Sequence, residues 1–379
     1  MKSFSGIGTG ITENAIKQAT LGLTDPKAIV VFASIESIEE ASELLMKEYP
    51  NADVLGVMGS TYNNGKVIDS SNFLGKEDRN IIQVLALFDD AEVACGVLDR
   101  LDDAPLYRIK EFNDNLNKVN PNSENTICIA FSTDYEESFV STVKTILESK
   151  KIDLVGGSIS GAFGKDVETF VLLNGKKYIH ATGYMIIKNK VGKIKKYRND
   201  TYVKKSDEIM QITKVGGGKA QRRIIEVDGK RLDRFYMEKY NYNEKDFQEK
   251  VFLISTKTPI AVVTGENTYV CAIKCFNQDG SVDVFKKVYE GGSLVFMQMG
   301  DWAAMESELI KKIKNDLKNV SFIFTIDCLY RHLIYSDNGF IDTYLNGVNS
   351  IGSHAGYIGL GEQDVQQHFS QTMVCVAFE

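Results

Sequence analysis

A unit of strand, helix, strand and small-residue loop recurs along this chain, and the recurrence limits the folds open to it. In the first copy, residues 28–34 (AIVVFAS) form a short apolar run suited to a buried strand. Residues 38–49 carry helical spacing at Ala41, Leu44 and Leu45, and Pro50 stops the helix. Asp53–Met58 reads as a second strand, ending in Gly59-Ser60-Thr61 and a turn at Asn63-Asn64-Gly65. The second copy has a strand at Thr126–Ser132, a helix with Phe139, Val143, Ile146 and Leu147, and a strand from Asp153. It ends in Gly157-Ser158-Ile159-Ser160-Gly161, and Asp53 and Gly56 map onto Asp153 and Gly156 without a gap. In the third, residues 322–326 (FIFTI) precede a helix-like segment and a strand expected at 348–351, ending in Gly352-Ser353-His354-Ala355-Gly356. Three copies suggest duplication within one architecture.

Each copy is followed by a further β-rich run, at 81–88, 178–187 and 373–378, so the sheets should be mixed. The expected fold class is α/β, with α+β as the alternative, in two domains whose mixed sheets are built from repeated β-α-β units. Right-handed crossovers place the small-residue loops at the carboxyl ends of strands, where open α/β sheets bind ligands. The glycines of 215–218 (VGGG) mark the domain boundary, giving residues 1–220 and 221–379. The second domain includes an amphipathic helix at 302–319, with Leu309, Ile310 and Ile313 on its packing side.

Composition narrows the function. Fifty-one acids against 44 bases give a net charge of −7, which repels a polyphosphate backbone, so nucleic acid is not an expected partner. No apolar run is long enough to span a bilayer and residues 1–22 lack a signal-peptide core, so the expected location is the cytoplasm, with no membrane partner. The six cysteines mostly sit in apolar runs and are expected to be free thiols. Cys271 and Cys275 share a strand face about 13 Å apart, too far for a disulfide. The basic stretch 188–205 reads as a solvated hairpin, with an anion-binding face as the alternative.

No phosphate-binding loop, dinucleotide fingerprint, HExxH or paired CxxC occurs, so no metal site is expected. Gly352-Ser353-His354-Ala355-Gly356 has the outline of a nucleophile elbow, but imidazole cannot take the serine's part. Gly59-Ser60-Thr61 and Gly157–Gly161 present hydroxyls and unhindered N–H groups that either bind a carboxylate or phosphate or make self-capped turns. Of the four histidines, His180 and His368 read as structural, and His354 is the better candidate for a site. No histidine stands in a context that marks a haem ligand, and CxxCH is absent.

With these segments in view, the chain resembles the FIST family of sensory domains, in which an N-terminal and a C-terminal FIST region occur together. The N-terminal resemblance lies in Leu55-Gly-Val-Met-Gly-Ser60, Leu154-Val-Gly-Gly-Ser158 and Ile224-Ile-Glu-Val-Asp-Gly229. The C-terminal one lies in Asp327-Cys328-Leu-Tyr-Arg331, Ala355-Gly-Tyr357-Ile-Gly-Leu-Gly361-Glu362 and Phe369-Ser-Gln-Thr372. Ser370 stands where the family commonly has Asn, and Leu232-Asp233 replaces its usual Pro-Ala. The resemblance implies a signal-input protein for small, often amino-acid-like, ligands. Some relatives bind haem as gas sensors. Since no output region is recognisable, the expected partner is a separate signalling protein such as a kinase, cyclase or chemoreceptor component.

The expected ligand site joins Ser60, Thr61, Gly157, Ser158, Ser160 and Ser353 with Cys328, Arg331, His354, Tyr357, Glu362 and Thr372. Arg331 would meet a ligand carboxylate and Glu362 an amine, or the two would pair with each other. The alternatives are a haem-binding gas sensor, or an enzyme with Cys328 as nucleophile and His354 as base.

Overall fold

The computed structural model describes residues 1–69, 80–161 and 167–379, and the fold is mixed α/β. The first unit runs β1 (Ser3–Thr9), α1 (Thr12–Ala19), β2 (Ala28–Ala33), α2 (Ile38–Glu48), β3 (Asp53–Met58), the hairpin β4 (Thr61–Asn63) and β5 (Lys66–Ile68), then β6 (Ile81–Leu87). The second repeats the order with β7 (Ala91–Leu98), α3 (Ile109–Lys118), β8 (Thr126–Ser132), α4 (Glu136–Ser149), β9 (Asp153–Ser158), β10 (Val171–Leu173), β11 (Lys176–Tyr178) and β12 (Thr182–Asn189).

The third unit opens with β13 (Ile194–Asp200) and is then interrupted by an insert. The insert contains β14 (Tyr202–Lys204), β15 (Met210–Gly216), β16 (Arg223–Val227), α5 (Leu232–Tyr240), α6 (Asp246–Glu249) and α7 (Val251–Lys257). It continues through β17 (Ile260–Thr264), β18 (Asn267–Cys271), β19 (Ile273–Phe276), β20 (Val282–Val284) and β21 (Ser293–Met299). The unit resumes with α8 (Trp302–Asp316), β22 (Phe322–Cys328), α9 (Leu329–Asp337), α10 (Ile341–Asn349), β23 (Ser353–Gly359), β24 (Glu362–Asp364), β25 (His368–Phe369) and β26 (Thr372–Phe378).

Each unit pairs its two crossover strands in parallel: β2 with β3, β8 with β9, β22 with β23. Strands this apolar need cover on both faces, and β2, β8 and β22 are buried throughout. Each hairpin then leaves its own unit. β4 pairs with β23, β10 with β3, and β24 with β9, so three six-stranded sheets exchange hairpins in a cycle. Phe32, Phe131 and Phe324, one from each sheet, meet with ring centroids 5.8 to 6.5 Å apart. The Met1 ammonium donates to the Glu379 carbonyl, which joins the chain ends beside Ser321.

The expected strand at 348–351 does not form. Val348 completes α10, and the strand begins at Ser353, because Phe322 lies opposite Ser353 as Ala28 lies opposite Asp53 and Ile127 opposite Asp153. The boundary expected at 220/221 falls inside the fourth, eight-stranded sheet, between hydrogen-bonded neighbours β15 and β16. That sheet takes every strand from β14 to β21, which makes residues 202–299 a structural insert within the third unit. The described cysteines are all free thiols. Among the described residues no helix is long and apolar enough to cross a membrane.

Candidate functional site

The hairpin exchange brings the Gly-Ser corners together, but into a packed junction. The Tyr357 hydroxyl donates to the Met58 carbonyl at 2.7 Å and accepts from the Ser160 N–H at 3.0 Å, while Ser160 Oγ donates to the Ile358 carbonyl at 2.6 Å. Ser60, Thr61, Ser158, Ser160 and Tyr357 are buried. Ser60 Oγ donates to Asp69, and Thr61 is bonded to Gln83. A Cβ at Gly59, whose φ is +144°, would lie 2.6 Å from the Tyr357 ring, and one at Gly161 2.4 Å from Met58 Cβ. Small residues stand here so that chains can cross between sheets. The packed Gly157 backbone pairs with Glu362, and Ser158 borders a cavity of about 550 Å³.

The other expected site residues are committed elsewhere. Arg331 is fully buried between the Tyr335 and Tyr344 rings and forms ion pairs with Glu306 and Asp327, so it does not await a ligand carboxylate. Burial outweighs the Arg331 charge and lifts the Asp327 carboxyl to about 6. Glu362 accepts from the Thr372 N–H and hydroxyl at 3.1 and 2.8 Å, and burial raises its carboxyl well above the usual range. Its Oε2 is thus committed to Thr372, inside the packed junction and away from the seam cavities. Ser353 lies at the outer start of β23 beside Asn64, at the opposite end of the strand from the corner.

Cys328 lies opposite Gly359 and His354 opposite Ile323, five residues apart on a parallel pair, about 16 Å. They form no nucleophile and base couple. Burial raises the Cys328 thiol well above its usual value and lowers His354 to about 3, with its Nε2 held by Thr325 Oγ1 at 3.0 Å.

A hollow of about 870 Å³ lies beside Thr9–Glu13, Glu40 and Asn80, and three further cavities lie along the seam between the second sheet and the insert. One cleft of about 550 Å³ sits at the carboxyl ends of β8 and β9, bounded by Thr133, Asp134, Glu136, Ser158, Ile159 and His368 on one side. Arg222, Lys274, Cys275 and Phe285 of the insert, with Tyr330 of α9, close the other. A second cavity of about 610 Å³ shares Asp134 and Arg222 with it, and a third of about 320 Å³ shares Glu137 and Lys287 with the second. The first turn of α4 is their common edge. This is the loop edge of one α/β sheet, the position where such sheets bind ligands.

Charge of both signs lines the seam. Arg222 bridges Glu136 and Glu137, the latter at 2.9 Å. His368 Nδ1 lies 3.1 Å from Glu137 Oε1, and its Nε2 lies 3.4 Å from Ser158 Oγ. Burial acts to raise both glutamates, but the Arg222 charge and His368 outweigh it and hold them below the usual carboxylate value. Asp134 Oδ2 lies 2.6 Å from His180 Nδ1; burial raises this carboxyl, against the pull of His180. Tyr135, next to Asp134, and His180 itself have φ of +52° and +45°, a conformation costing about 1–3 kcal/mol each. Lys274 is exposed and forms no ion pair among the described residues.

Glu136, Glu137 and His368 offer three ligand atoms within 4.8 Å of one another, the metal-capable group of the seam. Arg222 already bridges both carboxylates, so a cation there would compete with it for them. Sequence reasoning missed Asp134, Glu136, Glu137, Arg222, Lys274 and His368 as a site. The only local signal was an Asp-Tyr-Glu-Glu run opening a helix, and nothing in the sequence joins it to Arg222.

Fold and site define a mixed α/β protein with a charged cleft of small-molecule size between a three-sheet body and an insert. The model of the FIST N domain matches residues 27–230, more than half of the chain, and the protein belongs to the FIST family, whose domains are sensory and bind small ligands. No curated protein matches the chain. Of the four histidines, only His368 borders the cleft. His354 is buried and His332 is hydrogen-bonded to Tyr62, His180 faces Asp134, and His368, which borders the cleft, has partners at both ring nitrogens.

Proposed function

We propose that the protein is a cytoplasmic signal-input protein whose ligand is a small polar, amino-acid-like metabolite held in the cleft between β8, β9 and the insert. On this reading residues 221–379 hold a C-terminal FIST region, and output passes to a separate signalling protein such as a kinase, cyclase or chemoreceptor component. The observation that carries the reading is a single cleft with Asp134 and Glu136 on one wall and Arg222 and Lys274 on the other. A carboxylate alone would add negative charge beside two acids, and an amine alone would crowd Arg222. A zwitterion satisfies both walls, with Phe285, Tyr330 and Ile159 left to pack an apolar side chain.

A thermal-shift screen of amino acids, with carboxylates and amines as controls, tests this. A bound ligand at 100 times its Kd adds about 2.7 kcal/mol of stability. The expected result is a shift with some amino acids that Lys274→Ala and Asp134→Asn both diminish. A screen without any shift, or shifts that both variants leave intact, would remove the cleft from consideration.

A further inference from the structure

We infer that the Arg222 ion pairs with Glu136 and Glu137 form a latch that holds the insert against the second sheet and sets how far the cleft opens. The inference deepens the proposed function and takes the cleft from it, but the latch itself is a property of the protein without ligand.

The insert leaves the body and returns at one neck. β14 pairs with β21 from Tyr202 opposite Met299, and the Gly300 N–H donates to the Thr201 carbonyl at 3.0 Å. Contacts beyond the neck fall into two kinds. One is backbone, amide and aromatic: the Ser370 N–H to the Val270 carbonyl at 3.1 Å, the Gln371 amide to Ser255, and the Tyr269 ring beside Phe369 at 5.8 Å. Arg198 of β13 adds a charged contact there, donating to the Thr268 carbonyl at 3.1 Å. The other kind is charged and lies on the seam cavities themselves. Arg222 reaches Glu136 and Glu137, the Lys287 N–H donates to Glu137 Oε1 at 2.8 Å, and Lys286 Nζ donates to Gln367 Oε1 at 2.7 Å and to the His368 carbonyl.

Arg222 joins a glycine-bearing turn to β16, and its carbonyl accepts from the Val284 N–H at 2.9 Å. Gly217, Gly218 and Gln221 have φ of +90°, +61° and +48°, and the short 3-10 turn Gly218–Ala220 has no buried residue. From that anchored backbone the guanidinium reaches across the seam to its two acidic partners. Those partners sit in the first turn of α4, which packs on β9. A ligand whose anionic group engages Arg222 from the cleft competes with Glu136 and Glu137 for it, and so shifts the insert between two arrangements by differential affinity.

Hydrogen exchange on the full chain without ligand tests the latch. In Arg222→Met, and separately in a Glu136→Gln, Glu137→Gln double variant, amides of 133–140 and 218–224 should exchange at least about tenfold faster, one factor of ten for each 1.4 kcal/mol of lost closure. Amides of β2 and β22 should keep their protection, which shows that the three-sheet body stays folded. Arg222→Lys keeps the charge but not the two-pronged geometry, and should give a smaller rise. Unchanged exchange in 133–140 and 218–224 in both neutralising variants would overturn the latch, as would equal acceleration in β2 and β22 with Arg222→Lys. Because no ligand is present, failure of the amino-acid screen would leave this result standing, and the two ideas fail separately.

Discussion

The Tyr357 hydroxyl accepts the Ser160 N–H at 3.0 Å, across 197 residues of sequence, and through Met58 it ties all three sheets at one point. Tyr357→Phe keeps the ring but leaves the buried Ser160 N–H and the Met58 carbonyl without this partner. The expected loss is about 1–3 kcal/mol in urea denaturation. A loss within about 0.5 kcal/mol, the usual range for surface changes, would show that the hydroxyl does not anchor the junction.

Arg331 should behave as a structural residue. Arg331→Met strands Glu306 and Asp327 as buried acids, and breaking such a pair costs about 3–5 kcal/mol. Any ligand found by thermal shift should still bind the variant at a temperature where it is folded. Selective loss of binding with stability intact would return Arg331 to the site.

Acid should weaken the seam first. Glu136 and Glu137 have folded values held below the ordinary 4.5, so their contribution is complete above 4.5 and is lost as pH falls through the lowered values. His354 adds to this. Burial lowers it to about 3 from 6.5, so the unfolded chain takes up its proton first and stability falls by roughly 1.4 kcal/mol per pH unit below 6.5. Asp327, raised from 3.8 to about 6, acts oppositely between those values. The measurement is the pH slope of folding stability for the protein and for His354→Gln. A variant with an undiminished acid-side slope would show that His354 is not buried neutral.

Cysteine labelling reads the cleft directly. Cys128, Cys271, Cys328 and Cys375 are buried, with thiols pushed above their usual value by burial, and should resist iodoacetamide in the native protein. Cys275 is half-buried on the cleft wall, its thiol raised by burial and then by Asp283, and should label slowly. A ligand in the cleft should slow it further. Rapid labelling of Cys328 would contradict its placement.

Much of the fold was legible. Apolar runs at Ala28–Ala33 and Thr126–Ser132 fixed two buried strands, and Pro50 and the Asp53 and Asp153 match fixed the parallel pairing. The third unit was misread by several residues because the end of α10 and the turn after it, residues 348–351, look like a strand when helix packing is unseen. The candidate site was legible only as a kind of place, a loop edge of an α/β sheet. Its residues were not, since Arg222 and Glu136 stand 86 apart and neither stretch is unusual by itself.

Local sequence decided which segments become strands and helices, where glycines allow tight corners, and that the sheets are mixed, because apolar periodicity and backbone freedom act over a few residues. Only the tertiary structure decided that each hairpin serves its neighbour's sheet. That exchange fills the glycine and serine corners with side chains from elsewhere, and leaves clefts at the seam with the insert. Burial and long-range ion pairing are properties of the assembled chain, so the same residue types that look available in sequence are spent in the junction, and those that face the cleft look ordinary until it forms.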